Sequence, residues 1–221
     1  MKLTRRKLIA GACGLAGAAL FAKTLMLRGR TEFKKTMTTL FWVGEPADAE
    51  NAFISNYGSY WDKYWQLSYG GVDDPKHRDG YWPAHFRPKE NPFYVALPYG
   101  EFTEAGELKP EVQNVPWYHR GLSPLLKNRW IEVRRRGRSC FAQWQDVGPC
   151  GEDDFDFVFG GAVKPLNTFE AKAGLDVSPA VWRYLGMTKN QITAWRFVDI
   201  NDVPAGPWTK IITTSGNNRV T

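Results

Sequence analysis

The segment that most restricts what this chain can become runs from Trp130 to Pro149. Trp130-Ile131-Glu132-Val133-Arg134 alternates apolar and charged side chains, the two-residue period of a strand with one buried face. Arg136-Gly137-Arg138 supplies a turn, and Ser139 to Asp146 follows at once as a second, more apolar strand. The pair predicts a hairpin with Asp146 at its far end. Gly148-Pro149 then breaks the ladder, because proline has no N–H to donate. Glu152, Asp153, Asp154 and Asp156 crowd in immediately afterwards. A chain with this hairpin is built around a sheet, and a carboxylate closes one of its buried strands.

The other local signals are short. Phe93 to Pro98 reads as an apolar strand stopped by proline, and Thr193 to Asp199 as a last strand. Between them, Ser178 can cap a helix whose first position is Pro179, with Gly186 closing it. Ser59-Tyr60-Trp61-Asp62 is similar to a capping box and predicts a helix running to Gly70-Gly71. Tyr57, Trp61 and Trp65, and Tyr60 and Tyr64, share helical spacing, so they read as packing residues more than as a ligand platform. Residues 72–91 read as an ordered loop. Its His77 and His85, with Asp73, Asp74 and Asp79, match no metal-ligand spacing. The tail from Pro204 to Asn218 leaves room for an edge strand.

Charge is unevenly placed. Residues 1–35 hold nine of the 29 basic side chains and one of the 23 acidic ones, so residues 36–221 carry 20 basic and 22 acidic residues, a net −2. That balance argues against a nucleic-acid surface. The basic start followed by uncharged Leu8 to Ala22 has the layout of an export signal, and Thr4-Arg5-Arg6-Lys7-Leu8-Ile9 is similar to a twin-arginine signal. The alternative is an uncleaved membrane anchor over residues 8–27, with Lys23 reaching the interface. Residues 31–40 read as a polar tether, with the folded part starting near Phe41. Export permits a disulfide between Cys140 and Cys150; two thiols are the alternative.

Three motifs in order carry a resemblance: Gln145-Asp146-Val147-Gly148-Pro149, Leu175-Asp176-Val177-Ser178 and Tyr184-Leu185-Gly186-Met187. Together they resemble the rare lipoprotein A-like family, related to expansins, barwin-like proteins and membrane-bound lytic transglycosylase A. The resemblance implies a mainly β fold, a six-stranded double-psi β-barrel with short helices. It covers roughly residues 91–199, with the first family strand at Phe93 to Pro98 and an insertion over 150–174. An aromatic N-terminal elaboration (36–90) and a C-terminal tail (200–221) flank it. It also implies action on cell-wall polysaccharide through Asp146 and Asp176 facing one groove. The long stretch from Cys150 to Gly174 departs from the family and either walls that groove or fills it. Glu101 and His119 lie where helping residues belong, but their surroundings do not fit.

The chemistry supports the same pair without the family. Cleaving a glycosidic bond needs a carboxyl that stays protonated near neutral pH, and a second carboxylate nearby raises the first one's pKa. Asp176 is expected as the acid and Asp146 as its partner, with burial against Trp144 or Trp182 acting in the same direction and those rings offered to the sugar. The leading expectation is an exported, lytic transglycosylase-like protein acting on peptidoglycan, periplasmic or extracellular, with no cofactor and no metal. The alternatives are a non-catalytic, expansin-like polysaccharide-binding module and an envelope interaction domain. Against both aspartates stands a structural role, Asp146 in a tight turn and Asp176 at a helix start.

Overall fold

A computed structural model describes residues 32–169 and 171–216. The export leader, its twin-arginine-like motif and the anchor alternative fall on residues outside that range. Eight strands run in chain order: β1 (Lys34–Leu40), β2 (Arg78–Asp79), β3 (Trp82–Pro83), β4 (Tyr94–Leu97), β5 (Trp130–Arg135), β6 (Arg138–Val147), β7 (Leu175–Val177) and β8 (Gln191–Val198). Six of them close a barrel in the order β1-β7-β4-β6-β5-β8, and β2 and β3 pair apart from it. Within the ring, β1 lies parallel to β7 and β4 parallel to β6; the remaining pairs are antiparallel. The molecule is thus mainly β, with short helices α1 (Trp65–Tyr69), α2 (Phe155–Phe159) and α3 (Pro179–Tyr184). None of the described helices is long and apolar enough to cross a membrane.

The β5–β6 hairpin forms as its alternation requires, pairing Trp130 with Gln143 and Arg135 with Arg138. The tether expected over 31–40 is corrected. Lys34–Leu40 is a barrel strand, registered on β8 from Lys34 with Trp195 to Thr38 with Gln191, and on β7 from Thr38 with Leu175 to Leu40 with Val177. Its Lys-Lys-Thr-Met-Thr-Thr sequence looks polar because one face takes buried threonines: Thr36 and Thr38 are both buried, and the Thr38 hydroxyl meets that of Thr193 at 2.7 Å. The first barrel strand is therefore not Phe93 to Pro98, which supplies β4.

Strand β4 is buried on both faces. Val95 and Leu97 join the main core with Ile131, Trp144, Val177 and Trp195, whereas Tyr94 and Ala96 belong to a second cluster with Phe41, Val43, Trp65 and Tyr69. That second cluster seats the N-terminal elaboration on the outside of the barrel. Each of its large side chains contributes on the order of 1.5–3 kcal/mol by leaving water. A buried Asp73–Arg78 pair, with the Tyr94 hydroxyl donating to Asp73 at 2.8 Å, ties the loop to the same strand.

Other local expectations hold or shift for identifiable reasons. The Ser178 hydroxyl accepts the Val181 N–H at 3.3 Å, and Pro179 opens α3. The N-terminal helix starts later than its capping-box signal suggests. Ser59 and Asp62 spend their hydrogen bonds on a turn, and α1 begins at Trp65 and stops at the left-handed Gly70. The described part of the tail holds a single-turn helix, Pro207–Thr209, where an edge strand had room.

Candidate functional site: an acid recess on the outer face of the barrel

A bulge decides where Asp146 points. Strand β6 pairs with β4 as Tyr94 with Gln143 and Val95 with Trp144, then shifts by one so that Ala96 meets Asp146. Without that extra residue, Gln145 would stand opposite Ala96 and Asp146 would alternate into the barrel core, since a bulge re-aims every side chain after it. On the other side of β4, Ala96 is registered with Asp176, and Asp176 with Thr39 of β1. Thr39, Asp176, Ala96 and Asp146 thus form one row across four adjacent strands. Alanine in the middle leaves room between the carboxyls.

Walls rise on both sides of this row. Glu45, Asn51, Ile54 and Asn56 come from the N-terminal elaboration, and Asn167, Phe169 and Ala173 from the insertion, enclosing a recess of about 110 Å³. The insertion is therefore a wall, anchored at its start by Asp154. That carboxylate accepts the Phe157 N–H at 3.3 Å, capping α2, and the Leu166 N–H at 2.7 Å. Two other acids of the run are also in use, Asp153 pairing with Lys109 at 2.6 Å and Asp156 accepting the Gly161 N–H at 3.0 Å, while Glu152 is exposed.

The carboxyls are held differently. Asp146 is 7% exposed, and its Oδ1 accepts the Tyr60 and Val147 N–H groups, each at 2.8 Å. Tyr60 is fixed there because its ring lies against Gly100, where a Cβ would stand 2.4 Å from the ring, and its hydroxyl donates to the Phe102 carbonyl at 3.0 Å. Burial, helped by the Asp176 charge, raises the Asp146 pKa to about 7 despite the two N–H bonds. Asp176 is half-buried and takes the Thr39 hydroxyl on Oδ1; burial raises its pKa to about 6.

Sequence reasoning missed a third acid. Glu45, 6% exposed, lines the same recess and accepts the Asn56 side-chain amide at 2.7 Å; burial, with the charge of Asp176 contributing, raises its pKa to about 7. A left-handed Gly44 turns the chain to deliver it. No spacing in the sequence announces it, since it follows a strand that itself read as tether. None of the described lining residues is Lys, Arg or His, so the three acids keep protons at a pH where ordinary carboxyls have lost them.

Several expected residues stand elsewhere. Trp144 is fully buried on the opposite face of β6, its indole donating to the Asp146 backbone carbonyl at 2.7 Å, so it neither stacks on a sugar nor covers the carboxyl. Trp182 is half-buried against the core and does not line the recess. The Cys140–Cys150 bridge is not formed, and Cys140 is a free buried thiol whose pKa burial pushes well up. Strand β6 runs straight on from Cys140 to Val147, roughly 23 Å at about 3.3 Å per residue, far beyond the ~4.4–6.8 Å a disulfide spans. Cys150 instead lies beside Pro149 on the recess wall. Glu101 is buried and accepts the Trp61 indole and the Leu125 N–H, and His119 is exposed and bonded to the Arg120 carbonyl. His77 pairs with Asp74, and no group of three or more potential metal ligands occurs among the described residues.

No protein-family model matches this chain, and no curated protein matches it. Among solved structures it is similar to the Streptomyces papain inhibitor, at 16% sequence identity over 76% of this chain and 96% of that chain, with a TM-score of 0.31.

Proposed function

We propose that the acid recess is a glycan-cleaving site of lytic transglycosylase type, in an exported protein directed at peptidoglycan. The reading rests on one observation: Asp146 and Asp176 flank Ala96 in register and open into one recess with their pKa values raised towards neutrality. The two parallel strand pairs in the six-stranded ring accord with a double-psi barrel, and the twin-arginine-like leader accords with export.

Asp176 is the better placed donor. It is less buried than Asp146, its Oδ1 is positioned by the Thr39 hydroxyl, and its Oδ2 accepts no hydrogen bond from the described residues. In the first step the Asp176 carboxyl gives its proton to the leaving glycosidic oxygen as the C1–O bond breaks. In the second, the Asp176 carboxylate takes the proton of the sugar's own hydroxymethyl group as that oxygen bonds to C1, so the acid is restored without water. Asp146, deeper and held at Oδ1, has the higher pKa of the two and keeps its own proton, helped by the charge on Asp176, while burial is what holds the proton on Asp176.

At about 110 Å³ the recess is below the ~300–1,000 Å³ of most small-molecule sites. A glycan strand enters only if one of the walls, that of Ile54 and Asn56 or that of Asn167 and Phe169, moves outward. This narrowness favours a second reading, a non-catalytic polysaccharide-binding module.

Incubation of the exported protein with cell-wall sacculi separates the two. Cleavage releases anhydro-sugar ends, Asp176→Asn lowers the release by about 100-fold or more, and the rate falls as pH rises through about 6, where the working acid is lost. Equal release by both proteins removes the catalytic reading. Retention on sacculi by both, with no product, selects the binding module.

A further inference from the structure

A second cleft, of about 390 Å³, opens between the end of β8, the segment leading into β5 and the tail. It shares no lining residue with the acid recess. Trp117, Trp130, Phe197 and Ile200 line it, together with Lys127. Its size lies within the ~300–1,000 Å³ of small-molecule sites, which combine apolar walls with a few fixed polar groups. Arg129 stiffens one wall, its guanidinium 4.8 Å over the Trp117 ring. At the rim Ile200 and Ile212 are 54% and 41% exposed, apolar surface that a bound molecule would cover.

Lys127 gives the cleft its chemistry. The residue is only 5% exposed, yet its ammonium forms no ion pair among the described residues, and its one hydrogen bond there is a long 3.4 Å contact to the Ser215 hydroxyl. That hydroxyl donates to Glu90 Oε1 at 2.6 Å, so the Glu90 carboxylate stands one group removed from the ammonium, with its other oxygen taken by the Trp65 indole at 3.2 Å. Asp199, the acid on the cleft wall, is exposed and spends Oδ1 on the backbone and side-chain N–H groups of Asn201. An ammonium has three donors, and a buried one with donors to spare is costly until an anion meets it.

We propose that this cleft binds a small molecule with an apolar body and a single carboxylate, the body lying against Trp117 and the two isoleucines and the carboxylate on Lys127. The Arg129 guanidinium, which also lines the cleft, is turned onto the Trp117 ring and the Leu125 carbonyl, so Lys127 is the cation that selects a negative charge, and the apolar rim rejects a fully polar ligand.

The full chain is titrated with 2-naphthoate and with the neutral 2-naphthalenemethanol, following tryptophan fluorescence and amide NMR shifts. Naphthoate is expected to bind at least about 10-fold more tightly than the alcohol. Its shifts should fall on residues 122–130, 197–200 and 212–214. Lys127→Met should erase that preference and leave alcohol binding within about 3-fold. If that variant fails to fold, the two wild-type titrations still decide. Equal affinities, no binding of either probe at millimolar concentration, a preference that survives Lys127→Met, or shifts centred on Thr39 and Asp176 would each overturn the proposal. Asp176→Asn should bind both probes as the wild type does, so the outcome is independent of the glycan reading.

Discussion

Two backbone N–H groups favour charge on the Asp146 carboxyl, while burial and the neighbouring Asp176 oppose it. The opposition wins, and this fixes the sign of a pH effect. Between the unfolded value of 3.8 and the folded value of about 7, the folded chain holds a proton that the unfolded chain has released, so stability falls as pH rises through that window. About three units correspond to at most ~4 kcal/mol, less where the neighbouring acids share the protons. Asp146→Asn keeps an oxygen for both N–H groups and removes the charge. It should be more stable than the wild type by ~1–3 kcal/mol at pH 8 and indistinguishable near pH 4, as read from urea unfolding. A variant less stable at both pH values would show the carboxylate to be a structural acceptor.

Elements rather than residues determine whether the acids share a space. The bulge in β6 turns Asp146 outward, and the insertion walls the recess through its Asp154 anchor. Asp154→Ala removes the α2 cap and the Leu166 tie together, so it should cost ~1–2 kcal/mol or somewhat more. Limited proteolysis should then cut within residues 160–170 while the barrel's circular dichroism persists. An unchanged cleavage pattern would mean that the wall is held by Phe157 and its neighbours alone. Little of this was legible beforehand. A run of acids looks the same whether solvated or, as with Asp153, Asp154 and Asp156, separately engaged, and a bulge leaves no mark in an alternating pattern until the partner strand is known.

At the scale of the whole molecule, closure depends on β1, which pairs with both β7 and β8. A chain beginning at Phe41 would leave open edges on β7 and β8 and expose Thr193 without the Thr38 hydroxyl; it should aggregate or lack a cooperative thermal transition, whereas one beginning at Glu32 should show one. Equal transitions in the two would contradict the closed ring. The hairpin at Trp130 to Val147, the short β4, the Ser178-capped α3 and β8 could all be read from the chain, because alternation, caps and proline stops act within a few residues of themselves. Sequence also singled out Asp146 and Asp176 through motifs next to those elements. It could not supply β1, whose polar look hides buried threonines, one of them bonded to Thr193 on the neighbouring β8, or Glu45, which matters only because a distant strand carries Asp176 past it. The tertiary structure alone decided which face each carboxyl occupies and that the Trp144 ring lies on the other side. Side-chain direction in a barrel depends on register, and register is a property of strand pairs that no single strand encodes.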